Sequence, residues 1–468
     1  MCIPLPSSGS SQGVPWLRAK VLPQSADTIA AVATAQGRGG VGVIRISGNN
    51  VQKLAQAILG KLPKPRCATF ANFQQEKGET LDQGIALYFP APHSYTGEDV
   101  LELQGHGGPA VLQMLLQHCI DLGARLAQPG EFTRRAFLNG KIDLAQAESV
   151  ADLIEANSAE AAKCAFRSLR GDFSAAIHRL IDELINLRML VEAMLDFPDE
   201  QIDAVDLTRR EELLNSVRSK LQLTLDTAKQ GSLLREGAHV VIAGQPNVGK
   251  SSLLNRLAGE DVALVSNIPG TTRDVIRQAI QIRGVPLHIM DTAGLRESQD
   301  AVENMGIART HQTLSRADLI LLLLDASQGI TTEDKSILAG LPPEIPRLLV
   351  FNKADLLIGK PITDLEVSDP YVFVSAKTSE GLDALLTGLL DAVGWRDMES
   401  GVFMARERHI RALTLAQTSL KCAQNLMARS ELFAEELRLA QLALDEITGE
   451  FTPDDLLGEI FSRFCIGK

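Results

Sequence analysis

Paired cysteines are missing from this chain. Six cysteines stand at positions 2, 67, 119, 164, 422 and 465, with no Cys-x-x-Cys among them. That excludes a disulfide framework and a zinc-ribbon site, and it fits a reducing, cytoplasmic setting. Long apolar runs are missing too: the run Leu319 to Leu324 is far shorter than a spanning helix requires, and it suits a buried strand. No excess of positive charge exists, since the formal net charge is −12. The molecule as a whole is therefore not drawn to nucleic acid, and an RNA partner would need a local basic patch or a second protein. The first 24 residues carry basic groups only at Arg18 and Lys20, too few for a convincing transit peptide. Residues 1–24 read as a disordered extension or as sequence upstream of the true start. What remains is globular in composition, 45% hydrophobic and 22% charged, and 468 residues are enough for two to four domains.

The segment Gly244-Gln245-Pro246-Asn247-Val248-Gly249-Lys250-Ser251-Ser252 has the spacing of a phosphate-binding loop. The apolar run before it, His239 to Ala243, is the strand such a loop needs. Glycines let backbone N–H groups converge on phosphate oxygens, Lys250 adds a charge at the terminal phosphates, and the Ser251 hydroxyl can ligate Mg²⁺. Asp291-Thr292-Ala293-Gly294 follows a second apolar run, Val285 to Met290, where a metal-side and γ-phosphate-sensing loop belongs. Asn352-Lys353-Ala354-Asp355 follows a third, Leu348 to Phe351. An aspartate there can accept from the ring N–H and the exocyclic amine of guanine, a donor pair that adenine lacks. Ser375-Ala376-Lys377, after Tyr371 to Val374, closes the base pocket. Four motifs in this order, each at the carboxyl end of an expected strand, predict a doubly wound, mostly parallel sheet that binds GTP, over residues 236–399.

Two features of that site are unusual. Leu295 stands where many GTPases place a glutamine to orient the attacking water, so catalysis needs another source. Candidates are Glu297, Asp300 and Glu303, together with a monovalent cation beside the phosphates, for which Asn247 offers a side-chain oxygen. The loop Ser266-Asn267-Ile268-Pro269-Gly270-Thr271-Thr272-Arg273-Asp274 lies where the first switch belongs. Thr271 or Thr272 would complete the Mg²⁺ shell.

Before the GTPase region, residues from 27 to about 140 mix strand-like runs (Val41 to Ile46, Ile85 to Phe89) with glycine-rich turns. Helical stripes follow at three- and four-residue spacing: Leu144, Ala147, Val150 and Ile154, then Ile177, Leu180, Leu184, Leu187, Val191 and Met194, then Leu214, Val217 and Leu221. The texture returns at Leu413, Ala416, Leu420, Ala423 and Met427, and at Phe433, Leu437, Ala440, Leu444 and Ile447. Stripes on both sides of a complete α/β module predict that the GTPase region is inserted into a helical domain.

The chain resembles the MnmE (TrmE) family, GTPases that modify the wobble uridine of certain tRNAs. The resemblance is carried by Asp27-Thr28-Ile29-Ala30, Gly37-Arg38-Gly39-Gly40-Val41-Gly42, Tyr95-Thr96-Gly97-Glu98-Asp99, Gln104-Gly105-His106-Gly107-Gly108, Pro129-Gly130-Glu131-Phe132-Thr133, Gly270-Thr271-Thr272-Arg273-Asp274 and Phe464-Cys465-Ile466-Gly467-Lys468. It covers everything from about Asp27 to Lys468. It implies a multidomain α+β and α/β chain with three parts: a folate-binding, dimerising domain over 25–141, a helical domain over 142–235 and 400–468, and the inserted GTPase domain over 236–399. It also implies K⁺-dependent pairing of GTPase domains in a homodimer, with Asn247, Ser266, Ile268 and Thr271 around K⁺, and Ser251 and Thr272 on Mg²⁺. Glu303 would position water and Arg296 would support the switch. A one-carbon tetrahydrofolate, of 5-formyl or methylene type, would meet Arg45, Glu102, Lys141 and Lys468. Glu102 would accept from the pterin, with Arg45 and Lys141 on the glutamate tail.

The resemblance further implies an FAD flavoprotein partner (MnmG, or GidA) in a heterotetramer, and an aminomethyl-type product at carbon 5 of the uridine. The end Cys-Ile-Gly-Lys has the frame of a prenylation box, but Gly467 is not aliphatic. Cys465 stands as a candidate nucleophile toward the uridine ring or as a thiol near the folate. The rival reading is a ribosome-assembly GTPase without modification chemistry, which would usually carry a basic RNA-binding module.

Overall fold

The computed structural model describes residues 27–75, 78–196, 204–259, 278–291, 317–357, 368–396, 401–450, 454–462, 464–465 and 467. The chain divides into two compact units. One takes Met1–Ala151, Leu169–Ile177 and Leu444–Lys468, the other Asp152–Ser168 and His178–Ala443, so the helical residues are shared between them.

The first unit is built on β1 (Ile29–Val32), β2 (Gly39–Ser47), β3 (Thr69–Gln74), β4 (Thr80–Phe89), β5 (Val100–Gly107) and β6 (Arg125–Leu126). They form one sheet in the order β3-β4-β5-β2-β1-β6, antiparallel except for the pair β1 and β6. Alternation decides the faces. Ile44, Ile46, Leu101, Leu103 and Ala86 point to one side and are buried with Val51, Leu54, Ile58, Leu112 and Leu115 of the helices Val51–Leu59 and Pro109–Asp121. On the opposite face Ile29 and Ala31 meet Ala127 and Phe132, the latter on the helix Glu131–Leu138. That leaves Arg45 and Glu102 on the same outer face as Phe132.

The helix Leu144–Glu155 differs from its expected stripe. Leu144, Ala147 and Ala151 join Leu457, Ile460, Phe461 and Phe464 in a core, while Ile154 is 48% exposed. The buried edge follows i, i+3, i+7, so Ala151 replaces Val150 and Ile154 beneath the aromatic pair Phe461 and Phe464. The later stripes lie buried from Ile177 to Val191, Leu214 to Leu221, Leu413 to Ala423 and Phe433 to Ile447, whereas Met194 and Met427, expected to close two of them, are only half-buried.

In the second unit β7 (Ala238–Gly244), β8 (Gln278–Ile282), β9 (Val285–Asp291), β10 (Leu319–Asp325), β11 (Arg347–Asn352) and β12 (Tyr371–Phe373) form the order β12-β11-β10-β7-β9-β8. All neighbours are parallel except β8 and β9, a hairpin closed by Arg283 and Gly284, both at positive φ as a two-residue turn of that hand requires. The central strand β10 reads as a continuous apolar run up to Asp325, and β11 does so from Leu348 to Phe351, because both faces are covered. Val240, Ile242, Leu321, Leu323 and Val350 lie on one side with Leu253, Leu257, Leu385 and Leu389. Val241, Ile320, Leu322, Leu324 and Phe351 lie on the other.

Candidate functional site

β7 ends at Gly244, and the chain turns through Gln245 to Gly249 into the helix Lys250–Gly259. Two glycines are obligatory here. At Gly244 (φ 142°) a Cβ would lie 2.4 Å from the Leu323 carbonyl oxygen, and at Gly249 (φ 96°) it would lie 2.2 Å from Asn352 Nδ2. Asn247 takes the left-handed conformation without being glycine (φ 63°), and its side chain is exposed. Lys250 Nζ donates to the carbonyls of Gly244 (2.7 Å) and Gln245 (2.8 Å), so its charge bridges its own loop. The loop opens onto a helix N-terminus, whose free N–H groups and dipole favour an anion. Ser251 and Ser252 are exposed in the first helical turn.

The loop is joined to the base side by one residue. Asn352, 2% exposed at the end of β11, donates from Nδ2 to the Val248 carbonyl (2.8 Å) and accepts at Oδ1 from the Ala376 N–H (3.0 Å). Its amide therefore holds the phosphate loop against the Ser-Ala-Lys loop. Ser375 Oγ donates to Asp355 Oδ1 (2.7 Å) and accepts from the Thr378 N–H (3.1 Å), which orients the carboxylate. Asp355 Oδ2 meets no partner among the described residues and is available to guanine.

Three residues to which the sequence motifs gave no role complete the frame: Asp325, Arg256 and Gln245. Lys353 (φ 64°) donates to Asp325 Oδ2 (2.7 Å) at the end of β10. Burial alone would raise the Asp325 pKa, but the bonds from Lys353 and Ser327 outweigh it and hold the carboxyl below its usual range. Arg256 donates to the carbonyls of Ala376 (3.2 Å) and Lys377 (3.0 Å). Gln245 Nε2 donates to Thr331 Oγ1 (2.7 Å) and Asp334 Oδ1 (2.9 Å), the two side chains of the capping box that opens the helix Thr332–Ala339. Only Asp325 left a trace in sequence, as a carboxylate closing an apolar run.

Asp291 closes β9 in register with Ile242 of β7, next to the phosphate loop. Its side chain lies outside the described residues, as do Ser266, Asn267, Ile268, Pro269, Gly270, Thr271, Thr272, Thr292, Ala293, Gly294, Arg296, Glu303 and Lys468.

A second polar cluster occupies the outer face of the first sheet. Arg45 on β2 and Glu102 on β5 stand directly opposite. Arg45 Nε and Nη2 both donate to Glu102 Oε1 at 2.9 Å, and Oε2 meets no partner among the described residues. The guanidinium lies over the rings of Tyr95 (5.6 Å) and Phe132 (5.8 Å), and Nη1 reaches the Gly467 carbonyl at 3.5 Å. At Gly467 itself (φ 98°) a Cβ would fall 2.2 Å from the Val32 carbonyl oxygen, so the chain end is seated on β1. The ladder thus pairs Arg45 with Glu102 directly, where the sequence assigned them separate duties. Lys141 stands apart from that pair, donating from Nζ to the Pro92 carbonyl (3.0 Å). Cys465 is exposed, and among the described residues no side chain bonds its thiol.

Beneath Tyr95 lies a charge network that sequence reasoning missed. Arg135, 5% exposed, donates to Glu98 (3.0 Å), Glu131 (3.0 Å) and Asp27 (2.9 Å). Arg125 bonds the same Glu131 (2.5 Å) and Asp27 (2.6 Å). Burial pushes the pKa of Asp27 and of Glu131 upward, but the Arg125 bond and the Arg135 charge overcome it, and both carboxyls titrate below their usual values. Tyr95 Oη is fixed by Thr133 Oγ1 at 2.8 Å. The network therefore holds the wall on which Arg45 rests.

Comparison with known proteins covers nearly the whole chain. The family model described as "GTP-binding protein TrmE N-terminus" matches residues 28–141, and "MnmE helical domain" matches residues 144–465. "tRNA modification GTPase MnmE" of Nitrosospira multiformis is 59% identical over 448 residues, covering 94% of this chain and 99% of that protein. The protein of the same description from Nitrosomonas europaea is 58% identical over 449 residues, with coverages of 95% and 100%. Among solved structures, a point variant of Aquifex aeolicus Era bound to GDP and AlF₄⁻ aligns with 39% of this chain and 66% of its own at 28% identity. Its TM-score of 0.27 adds nothing to the assignment.

Proposed function

The chain belongs to the MnmE (TrmE) family of tRNA modification GTPases, and from that premise we propose how its parts divide the work. Residues 236–399 bind and hydrolyse GTP, residues 25–141 take a one-carbon tetrahydrofolate, and the helical residues 142–235 and 400–468 couple the two. The observation that carries GTP as the substrate is the joint made by Asn352. One buried amide fixes the phosphate loop and the loop of the base pocket in a single frame, with a free Asp355 oxygen aimed at the guanine edge.

On nucleotide binding, Lys250 exchanges its two carbonyl partners for the terminal phosphates, and the N–H groups of the loop receive the rest. The exposed Ser251 hydroxyl, at the first turn beside the loop, suits a Mg²⁺ ligand, with Thr272 as the second. The exposed Asn247 oxygen suits a K⁺ ion, with Ser266, Ile268 and Thr271 around it. Each cation would supply charge to the leaving and transferring phosphate oxygens. Glu303 positions the water that Leu295 cannot, and Arg296 supports the switch. Pairing of two GTPase domains in a homodimer brings the hydrolytic residues together.

The outer face of the first sheet fits a reduced pterin. Glu102 keeps one oxygen for its guanidine-like edge while Arg45 steadies the other, and Tyr95 and Phe132 offer aromatic faces. Lys141 and Lys468 meet the glutamate tail. Bound there, the folate would supply the one-carbon unit. A flavoprotein partner with FAD completes a heterotetramer that installs an aminomethyl-type group at carbon 5 of the wobble uridine. Glycine or ammonium supplies the nitrogen, and Cys465 stands near the chain end as a thiol of open duty. GTP hydrolysis drives domain movement and gives no atoms to the product.

Mass spectrometry of tRNA nucleosides from cells with and without this gene tests the reading. Loss of the carbon-5 aminomethyl-type uridine is expected. An unchanged profile with intact GTP turnover would overturn it in favour of an assembly GTPase.

A further inference from the structure

The tRNA itself needs a landing place, and a chain with net charge −12 supplies no general attraction. One groove stands against that background. The helices Ala204–Glu236 and Glu407–Asn425 run along each other in the second unit, and between them lies a groove of about 480 Å³. Its polar lining is Asn215, Arg218, Ser219, Gln222, Gln417 and Lys421, with no carboxylate among the lining residues. The helical spacing explains the grouping. Asn215, Arg218, Ser219 and Gln222 fall at i, i+3, i+4 and i+7 on one face, and Gln417 and Lys421 at i and i+4 on the other. The nearest acids on that first face, Glu211 and Asp226, sit one turn beyond either end.

The cations are uncommitted. Among the described residues neither Arg218 nor Lys421 has an acidic partner, whereas the neighbouring Lys220 is paired with Glu183. Arg218 spends one Nη1 donor on the Gln424 amide oxygen, which holds its guanidinium in place. The amides are ordered into a chain, Gln417 donating to Gln222 (2.5 Å) and Gln222 to Asp226 (2.9 Å), so the Asp226 carboxylate is engaged by an amide. The lining contains no aromatic ring on which a base could stack. It offers cations for phosphates, and amides with a hydroxyl for 2′-hydroxyl groups, which is how an RNA backbone is read by shape rather than by sequence.

We propose that this groove binds the phosphodiester backbone of the tRNA, with Arg218 and Lys421 on successive phosphates. The inference rests on the tRNA modification reading above. Binding of unmodified tRNA to the full-length chain is measured over a range of salt, for the wild type and for R218Q/K421Q. The double variant should bind about tenfold more weakly, with the slope of log K against log salt flattened by about 2, near 1 per lost cation. GTP turnover without tRNA should be unchanged, and R218K/K421R should bind as the wild type does. Wild-type affinity and slope in R218Q/K421Q would overturn the proposal while leaving the family reading intact. Equal competition by a DNA hairpin of the same sequence would overturn the assignment to RNA. Failure of the wild type to bind tRNA would count against both readings together.

Discussion

The two sheets of this molecule present their polar groups in opposite ways. In the sheet β7–β12 the central strand β10 is apolar up to Asp325, β7 and β9 carry one polar side chain each within the strand (His239 and His288), and the site residues stand where strands stop: Gly244, Asp291, Asp325 and Asn352 are all terminal. The sheet β1–β6 carries charges in mid-strand: Arg45 meets Glu102 across the ladder on the outer face, and Asp82 on β4 is held by His106. A parallel sheet covered on both sides favours apolar side chains along its strands and leaves most room for polar ones at its ends. An antiparallel sheet with one face partly open can carry them along its length, provided each finds a partner.

The sharpest way to break the first arrangement is Gly249→Ala. A methyl 2.2 Å from Asn352 Nδ2 at φ 96° must displace the amide that joins the two loops. Strain and the lost joint together should weaken GTP binding by about a hundredfold, roughly 3 kcal/mol. Titration with a fluorescent GTP analogue checks it.

The second arrangement should break at Arg135→Met. It leaves Arg125 on Glu131 and Asp27 but takes the cation from Glu98, a carboxylate only 9% exposed, and removal of one partner from a buried ion pair costs about 3 kcal/mol. Hydrogen exchange read over the helix Glu131–Leu138 should show the loss locally, without requiring all-or-none unfolding. GTP binding should not follow it.

Acid sharpens the same contrast. Asp27 and Glu131 have folded pKa values below their usual 3.8 and 4.5. Their ionised forms are the stabilising ones. The contribution is therefore complete above the ordinary carboxylate range and drains as pH falls through the lowered values. Protection of the helix Glu131–Leu138 should fall on acidification below about pH 4.5, and Arg135→Met should flatten that dependence.

The smallest effect belongs to Thr331→Ala. It removes the capping box and one of the two anchors of Gln245, and should cost about 1 kcal/mol, seen as a small drop in thermal stability with GTP affinity nearly preserved.

This contrast also explains what could be read without coordinates. The candidate GTP site could be named from sequence because each of its motifs is short, contiguous and set at the end of an apolar run, whereas Asp325, Arg256 and Gln245 lie outside any assigned role. Asn352 was legible as a motif member but not as a joint, because its partners, Val248 and Ala376, depend on how two loops meet. Arg45 and Glu102 could be named only through family resemblance. Their pairing follows from strand register over 57 positions of sequence, which no local pattern encodes. The Arg135 network was silent for the same reason, since Asp27, Glu98 and Glu131 are brought together only by the fold. Helix burial was read well where leucines mark the stripe, and misread at Ile154, where small alanines carry the buried edge instead.

The central claim is that the two sheets house separate tasks that one modification reaction needs together. Glu102→Gln tests it most directly, by following GTP turnover of the purified variant and the tRNA nucleosides of cells that carry it. The account predicts GTP turnover like the wild type and loss of the carbon-5 modified wobble uridine. Modified uridine at wild-type levels in cells that carry Glu102→Gln would contradict it.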